Sequence, residues 1–294
     1  MENILKKAET YGLQLDPDSI QSVNIGLDFQ VAFAADQTDK HWVLRLPRRQ
    51  DAFAKTAQEK ATLDLLNAAS LPFEIPNWEI YDENLIAYQQ LKGEPAVTTD
   101  ADTQTNHWAF DETHVPDRYI QSLGQALAAL HAVPKASPLK EGETSQKLRD
   151  HMRARMDKVK ESYDIHPDLW ARWRNWLNNE DLWPEQAGFI HGDLYPGHTL
   201  IAADFSVTGI IDWTEAQVAD IANDFTAFYL LFGEEKLAAL IQAYQKAGGY
   251  TWPAMKEHIM ELLTTQAITL AEFAESSGLD EYREIAKQML AENN

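Results

Sequence analysis

Apolar residues alternate with polar ones, or run on unbroken, across Phe29–Ala34 and His41–Leu46, and this spacing predicts two half-buried β-strands. Asp36-Gln37-Thr38-Asp39 lies between them and carries turn chemistry, so the pair reads as a hairpin. The period then changes. Ala57, Ala61 and Leu65 recur at helical spacing and predict a helix from Phe53 to Leu66. Pro72 and Pro76 break the chain, after which Trp78–Tyr81 and Leu85–Tyr88 read as two further strands around the turn Asp82-Glu83-Asn84. Strand pair, helix, strand pair is the pattern of a modest α+β domain.

Lys92-Gly93-Glu94-Pro95 opens a break that continues as a polar stretch to about residue 115, and beyond it the pattern is mostly helical. Tyr119–His131 places Ile120, Leu123, Leu127 and Leu130 on one face, as a core-facing helix requires. Residues 145–163 form a charged helical stretch, and residues 169–177 carry Trp170, Trp173 and Trp176 three positions apart, a stripe that reads as packing. Between 187 and 215 the helical period stops. Gly188-Phe189-Ile190 and Gly209-Ile210-Ile211 are short apolar runs, each leading into polar residues of catalytic type. From Ala222 the period is helical to the end, interrupted at Gly248-Gly249 and Gly278. These shifts predict a strand-rich part over 1–91 and a mostly helical part over 92–294.

Composition narrows the class. With 294 residues and 45% hydrophobic content the chain can bury substantial cores. It has no cysteine, which excludes disulfides and thiolate metal sites. The first residues lack the apolar core of a signal peptide, and no apolar run approaches the roughly 20 residues of a membrane helix, so the expectation is a cytoplasmic protein. The 46 acidic and 25 basic side chains give a formal charge of −21, a surface that repels nucleic acid and favours cationic ligands.

The chemistry concentrates in Ile190-His191-Gly192-Asp193-Leu194-Tyr195-Pro196-Gly197-His198 and in Ile210-Ile211-Asp212-Trp213. Each segment ends a short apolar strand with an aspartate. Phosphoryl transfer needs one carboxylate to orient the attacking hydroxyl and accept its proton, and another oxygen ligand to hold the metal against the phosphates. A His-Gly-Asp tripeptide alone says little. Followed five residues later by His198 and then by Asp212, it reproduces the order of roles in a kinase catalytic loop.

The segment resembles the catalytic loop of the aminoglycoside phosphotransferase family, whose usual form is His-Gly-Asp-x-x-x-x-Asn. His198, Trp42-Val-Leu-Arg-Leu-Pro-Arg-Arg49, Gly26-Leu-Asp-Phe29, Ile211-Asp-Trp-Thr-Glu215 and Phe232-Gly-Glu-Glu235 resemble its macrolide 2'-phosphotransferase branch more closely, over essentially the whole chain. The resemblance implies an α+β, protein-kinase-like two-lobe fold, with a small antiparallel-sheet N-lobe and a larger helical C-lobe. It implies Asp193 as catalytic base, Asp212 as magnesium ligand, and Asp224 as the residue that brace the catalytic loop, with Ile221 where the family usually has proline. His191 is then structural. His198 departs from the family's Asn, and imidazole suits softer metals than Mg²⁺, so it binds the metal through water or contacts a phosphate.

Arg45 stands where kinases place the strand lysine that touches the phosphates, and Glu59 on the following helix is spaced to pair with it. The resemblance makes Asn24–Phe29 the nucleotide flap, although Gly26 is its only glycine. It makes Tyr88–Leu91 the hinge, with backbone groups of Gln89 and Leu91 for the purine edge. Ile211 packs beneath the base or belongs to the core. The implied reaction transfers the γ-phosphoryl group of GTP, with ATP as alternative donor, to the 2'-hydroxyl of a macrolide's amino sugar, an antibiotic-resistance activity. Phe228, Tyr229, Phe232 and Phe273 supply aromatic surface for the ring, and Glu234, Glu272 and Glu275 carboxylates for its dimethylammonium. A monomer is expected. Three other readings stand beside this one: a kinase for aminoglycosides or a metabolite such as choline, a metal-dependent phosphohydrolase using His191, Asp193, His198 and Asp212, and a non-catalytic nucleotide-binding module.

Overall fold

The computed structural model describes residues 2–23, 28–100, 103–134 and 144–292. The chain opens with α1 (Glu2–Thr10), β1 (Gln21–Val23), β2 (Phe29–Ala35) and β3 (His41–Pro47). There follow α2 (Gln50–Ala54), α3 (Thr56–Asn67), β4 (Ile80–Asp82) and β5 (Leu85–Gln89). Three short strands come next, β6 (Glu94–Pro95), β7 (Val97–Thr99) and β8 (Asn106–Trp108), then helices α4 (Asp117–His131), α5 (Ser145–Ser162) and α6 (Pro167–Asn178). Four more short strands are β9 (Gly188–Ile190), β10 (Thr199–Ile201), β11 (Val207–Ile210) and β12 (Gln217–Ala219). Helices α7 (Asn223–Lys246), α8 (Met255–Thr264), α9 (Gln266–Ser277) and α10 (Asp280–Ala291) close the chain. Among the described residues no helix is long and apolar enough to cross a membrane. The chain divides into two compact units, residues 1–119 with 196–216, and residues 120–195 with 217–294.

The first unit is built on an antiparallel five-stranded sheet, ordered β1-β2-β3-β5-β4. Its period-two alternation decides what each face does. Ala32 and Ala34, Trp42, Leu44 and Leu46, and Leu85 and Ala87 turn to one face, where Ile4 and Ala8 of α1 complete a core. Val31, Phe33, Val43, Arg45 and Tyr88 are left to the opposite face. The β2–β3 turn is held by Asp36, whose Oδ1 accepts from the Thr38 and Lys40 amides and whose Oδ2 accepts from Trp42 Nε1 at 2.9 Å. The Thr38 hydroxyl, which donates to Asp36 Oδ1 at 2.6 Å, then Trp42 Nε1 and the two amides, hold its carboxyl well below the usual range.

The expected Phe53–Leu66 helix is two helices, broken at Lys55. Thr56 Oγ1 bonds the Phe53 carbonyl at 2.7 Å, taking an acceptor from the end of α2. The buried face of α3 is Thr56, Glu59, Thr62, Leu63 and Leu66, rather than the Ala57–Ala61–Leu65 spacing, because Glu59 turns inward to a charged partner. A three-stranded sheet, β11-β10-β6, and the hairpin β7–β8 complete this unit.

The second unit is helical around one two-stranded ribbon, β12–β9. Trp173 and Trp176 are fully buried, as packing requires, while Trp170 receives Lys160 Nζ 3.8 Å from its ring centroid. In α4, Gly124 permits a close approach of α7: a Cβ there would lie 2.7 Å from both the Ala243 Cβ and the Tyr244 backbone nitrogen. Alanine normally stabilises a helix interior by about 1 kcal/mol over glycine. Here the obstruction is backbone, and overpacking of that kind costs about 1–3 kcal/mol. Gly124→Ala is therefore expected to lower the urea midpoint; a raised midpoint would show that α4 and α7 move apart freely.

Candidate functional site

The face of the sheet turned away from α1 forms part of a cavity of about 630 Å³ in the first unit. Val31, Phe33, Val43, Trp78, Leu200 and Ile211 give it apolar walls, with Arg45, Glu59 and Asp212 among its charged residues. Arg45 reaches it because period two puts it on the same face as Val43. Its Nη1 donates to Glu59 Oε1 at 2.8 Å, and its guanidinium lies 4.8 Å from the Phe29 ring centroid and 5.2 Å from that of Trp78. Burial works against the Arg45 charge, but Glu59, then Tyr88 and Asp212, more than restore it, so its pKa stands above the ordinary value. Burial raises the Glu59 carboxyl, with Arg45 pulling the other way and Asp212 adding to the rise. Burial likewise pushes the Tyr88 hydroxyl up to about 12. Glu59 and Tyr88 thus both sense the Arg45 guanidinium, an electrostatic coupling typical of functional clefts.

Asp212 follows β11 in a left-handed conformation, φ 64°, which is uncommon for a residue with a Cβ and is held by its neighbours. Ile211 N donates to the His198 carbonyl at 3.0 Å, and Trp213 Nε1 to the Ile210 carbonyl at 3.0 Å. Trp213 is buried and stacks on Phe73. The Asp212 side chain is 52% exposed; Thr214 Oγ1 donates to its Oδ1 at 3.0 Å, and His198 Nε2 stands 3.6 Å from its Oδ2. His198 and Asp212 are therefore neighbours. Among the described residues no three His, Asp or Glu side chains are grouped to hold a metal.

In the second unit β9 delivers His191-Gly192-Asp193, with Gly192 at φ 88° turning the chain. Register pairs Phe189 with Val218 and Gly188 with Ala219, which leads directly into Asp220–Asp224. Asp224 is buried, and its two oxygens accept the His191 and Gly192 amides at 2.9 Å each. Its Oδ2 also meets His131 Nε2 at 3.1 Å, and His131 Nδ1 meets the Tyr244 hydroxyl at 3.0 Å. His191 is fully buried, and its Nδ1 accepts the Asp193 amide at 3.2 Å, closing the turn on itself. The Asp193 side chain is exposed. Nearby, buried His258 bridges Asp220 Oδ2, at 2.6 Å from Nε2, and Trp176 Nε1, at 3.0 Å from Nδ1. Because indole nitrogen only donates, His258 Nδ1 is the acceptor and Nε2 carries the proton to Asp220.

The remaining candidates are spread more widely. Leu91 and Ile211 line the cavity, whereas Gln89 does not; its Nε2 donates to Glu79 Oε1 at 2.7 Å. Gly26 lies outside the described residues. Phe228 is buried against Phe232, Tyr229 is half-buried, and Phe273 is exposed beside Tyr282. Each candidate acid already has a basic neighbour: Glu234 with Lys256 at 2.8 Å, Glu272 with Arg155 at 2.7 Å, and Glu275 with Arg283 at 3.8 Å. Sequence reasoning missed Tyr88 and Trp78 as cavity walls, and His131 and Tyr244 behind Asp224. Tyr88 shares the Arg45 face by strand alternation, a signal present in the sequence. Nothing local marks His131, whose partner is 93 residues away.

Residues 19–258 match the APH family, described as the phosphotransferase enzyme family. The apoenzyme structure of macrolide 2'-phosphotransferase MphH from Brachybacterium faecium is similar over 100% of this chain and 98% of its own, at 33% identity and a TM-score of 0.92. A structure of macrolide 2'-phosphotransferase type I is similar over 100% of this chain and 97% of its own, at 35% identity and a TM-score of 0.88. The uncharacterized protein YcbJ of Bacillus subtilis (strain 168) is 36% identical over 290 residues, 98% of this chain and 94% of that protein.

Proposed function

The chain belongs to the phosphotransferase enzyme family and is a small-molecule kinase with a kinase-like α+β fold; on that footing we propose that it is a macrolide 2'-phosphotransferase, moving the γ-phosphoryl group of GTP to the 2'-hydroxyl of a macrolide's amino sugar. The observation that carries the substrate class is the full-length likeness to two macrolide kinases, at identities well above those that speak for fold alone.

In this reading Asp193 accepts a hydrogen bond from the attacking hydroxyl and takes its proton late, as a loose transition state requires. Asp224 holds the His191 and Gly192 amides and so fixes where Asp193 is presented. The cavity suits a nucleotide: its volume falls within the roughly 300–1,000 Å³ of small-molecule sites, and it joins apolar walls to a fixed guanidinium. Arg45, kept charged by Glu59, is aimed at phosphate oxygens, while Leu91 and Ile211 flank the base. A magnesium ion fits Asp212, a half-exposed hard-oxygen ligand on the cavity wall, because Mg²⁺ binds through one or two carboxylates together with substrate phosphates. When bound it offsets phosphate charge. His198, with its Nε2 3.6 Å from Asp212 Oδ2, binds the same metal through water or contacts a phosphate. Lobes over 1–91 and 92–294, a cytoplasmic monomer, and ATP as alternative donor belong to the same proposal.

For the macrolide, Phe228, Tyr229, Phe232 and Phe273 supply the apolar wall. Among the paired acids Glu234 and Glu275 are the ones whose basic partners are exposed enough to be exchanged for the sugar's ammonium. Mass spectrometry of erythromycin after incubation with GTP and Mg²⁺ is expected to show one added phosphate. Transfer to kanamycin alone would overturn the macrolide assignment, and phosphate release without an acceptor would favour a hydrolase.

A further inference from the structure

We propose that His258 is a positioning residue for phosphoryl transfer: through Asp220 it locks the turn that carries Asp224, and so the loop that presents Asp193. The proposal rests on the role given to Asp193 above. His258 is fully buried on α8, and its ring is walled by Trp183, Trp176 and Trp252, with centroids 4.7, 5.3 and 5.6 Å away. An apolar ring would serve such packing. His258 instead directs its ring N–H out of α8 to the Asp220 carboxylate, 2.6 Å from Nε2. The Asp220 side chain is only 7% exposed. Burying a carboxylate is costly, and apolar residues of similar size commonly serve stability as well or better. What the pair adds is a fixed geometry in the turn, strengthened by a surrounding that excludes water.

That turn lacks the usual stiffener. Ile221 stands where the family usually has proline, so no ring fixes its φ. Hydrogen bonds and packing hold it instead. Asp220 Oδ1 accepts the Ala222 amide at 2.9 Å, and the Asp220 carbonyl accepts Asn223 N at 3.1 Å and Asn223 Nδ2 at 2.8 Å. Ile221 is buried so close to β9 that a Cβ at Gly188 would lie 2.4 Å from its Cγ2. Ala222, which precedes α7, has no side chain to cap it, so the Asp220 carboxylate and carbonyl hold the chain where the helix begins. Asp224 follows in the first turn of α7 and accepts the His191 and Gly192 amides. His131 steadies the Asp224 carboxylate directly; His258 steadies the backbone that carries it.

The test uses the full chain. Turnover is measured with erythromycin, GTP and Mg²⁺, and hydrogen exchange at the His191 and Gly192 amides gives a readout that needs no substrate. His258→Phe fills the space and removes the bond to Asp220. Well below its melting transition it is expected to lower kcat about tenfold with both KM values unchanged, and to speed exchange of the two amides about tenfold. His258→Gln, whose amide still donates to Asp220, recovers most of both losses. Trp173→Phe is the packing control. It removes a bond between α6 and α8, from Trp173 Nε1 to Thr264 Oγ1 at 2.8 Å, and is expected to lower the Tm while kcat and the two amides stay as in the parent. Should His258→Phe fail to fold, Asp220→Asn carries the same expectations, because its NH₂ opposes either His258 or the Ala222 amide. Unchanged kcat, unchanged exchange, or an equal fall in kcat for Trp173→Phe overturns the proposal. A parent that leaves erythromycin unphosphorylated overturns the macrolide assignment instead, and exchange at the two amides still decides whether His258 holds the loop.

Discussion

Asp193→Ala is expected to lower turnover by about 10³–10⁴-fold, and Asp193→Asn by about 10²-fold, with the folded protein as stable as the parent. The grading follows from the transition state. In a loose phosphoryl transfer the hydroxyl proton leaves late, so much of what a base does is to orient the nucleophile. Asparagine keeps an oxygen that accepts the hydroxyl's hydrogen bond and loses only the proton sink; alanine loses both. Stability is spared because the carboxylate is exposed and the turn is closed by the Asp193 amide on His191 Nδ1, which both variants keep. Single-turnover rates with erythromycin and GTP, alongside melting temperatures, read the two effects separately. Equal losses in both variants would mean that Asp193 acts only as a charge, and a loss under tenfold in alanine would remove it from the reaction.

How much of this was legible in the sequence varied with the range of the forces involved. The β2–β3 hairpin and the β4–β5 pair were legible because turn chemistry and alternation are local; Asp36 organises its turn through residues within six positions of itself. The Arg45–Glu59 pair was legible for a related reason, since a strand and the helix after it put the two residues on facing surfaces 14 positions apart. Local pattern failed at Lys55, where apolar spacing runs on but the Thr56 hydroxyl takes a helix carbonyl. It failed again at β7–β8, whose three-residue strands are too polar to show a period.

Long-range pairing was the larger gap. Helical period placed Glu272 correctly on α9, yet could not reveal Arg155, 117 residues earlier, already gripping it with three hydrogen bonds. The chemistry of an acidic side chain is set by its partner, and that partner is chosen by tertiary packing. The same limit hid His131. The motif His191-Gly192-Asp193 could be read from its spacing, but what fixes it in place is assembled from α4, β9 and α7.

That assembly makes Asp224 the position where a side chain outside the reaction has the largest effect. Asp224→Ala strips acceptors from the His191 and Gly192 amides and leaves His131 without its carboxylate. A buried donor without a partner costs about 1–3 kcal/mol, so losses here of about 3 kcal/mol take a large share of the ~5–15 kcal/mol that holds a domain folded. Turnover is expected to fall at least ~10²-fold even under conditions where the variant stays folded, because small displacements of a catalytic group are that costly. Asp224→Asn is intermediate: its amide oxygen serves one of the two N–H groups, and its NH₂ opposes the other. Acid gives a second, independent readout. Burial would raise the Asp224 carboxyl, but His131, then His191 and the Gly192 amide, outweigh it and hold the pKa below the ordinary 3.8. A carboxyl depressed by folding stabilises the native state above its unfolded pKa, and that contribution is lost as pH falls through the folded value. The His191 and Gly192 amides should therefore remain protected from hydrogen exchange from neutral pH down to about 4 and open only below it. Protection lost already at mild acidity, or an alanine variant that keeps both protection and turnover, would show that the loop is held by something other than Asp224.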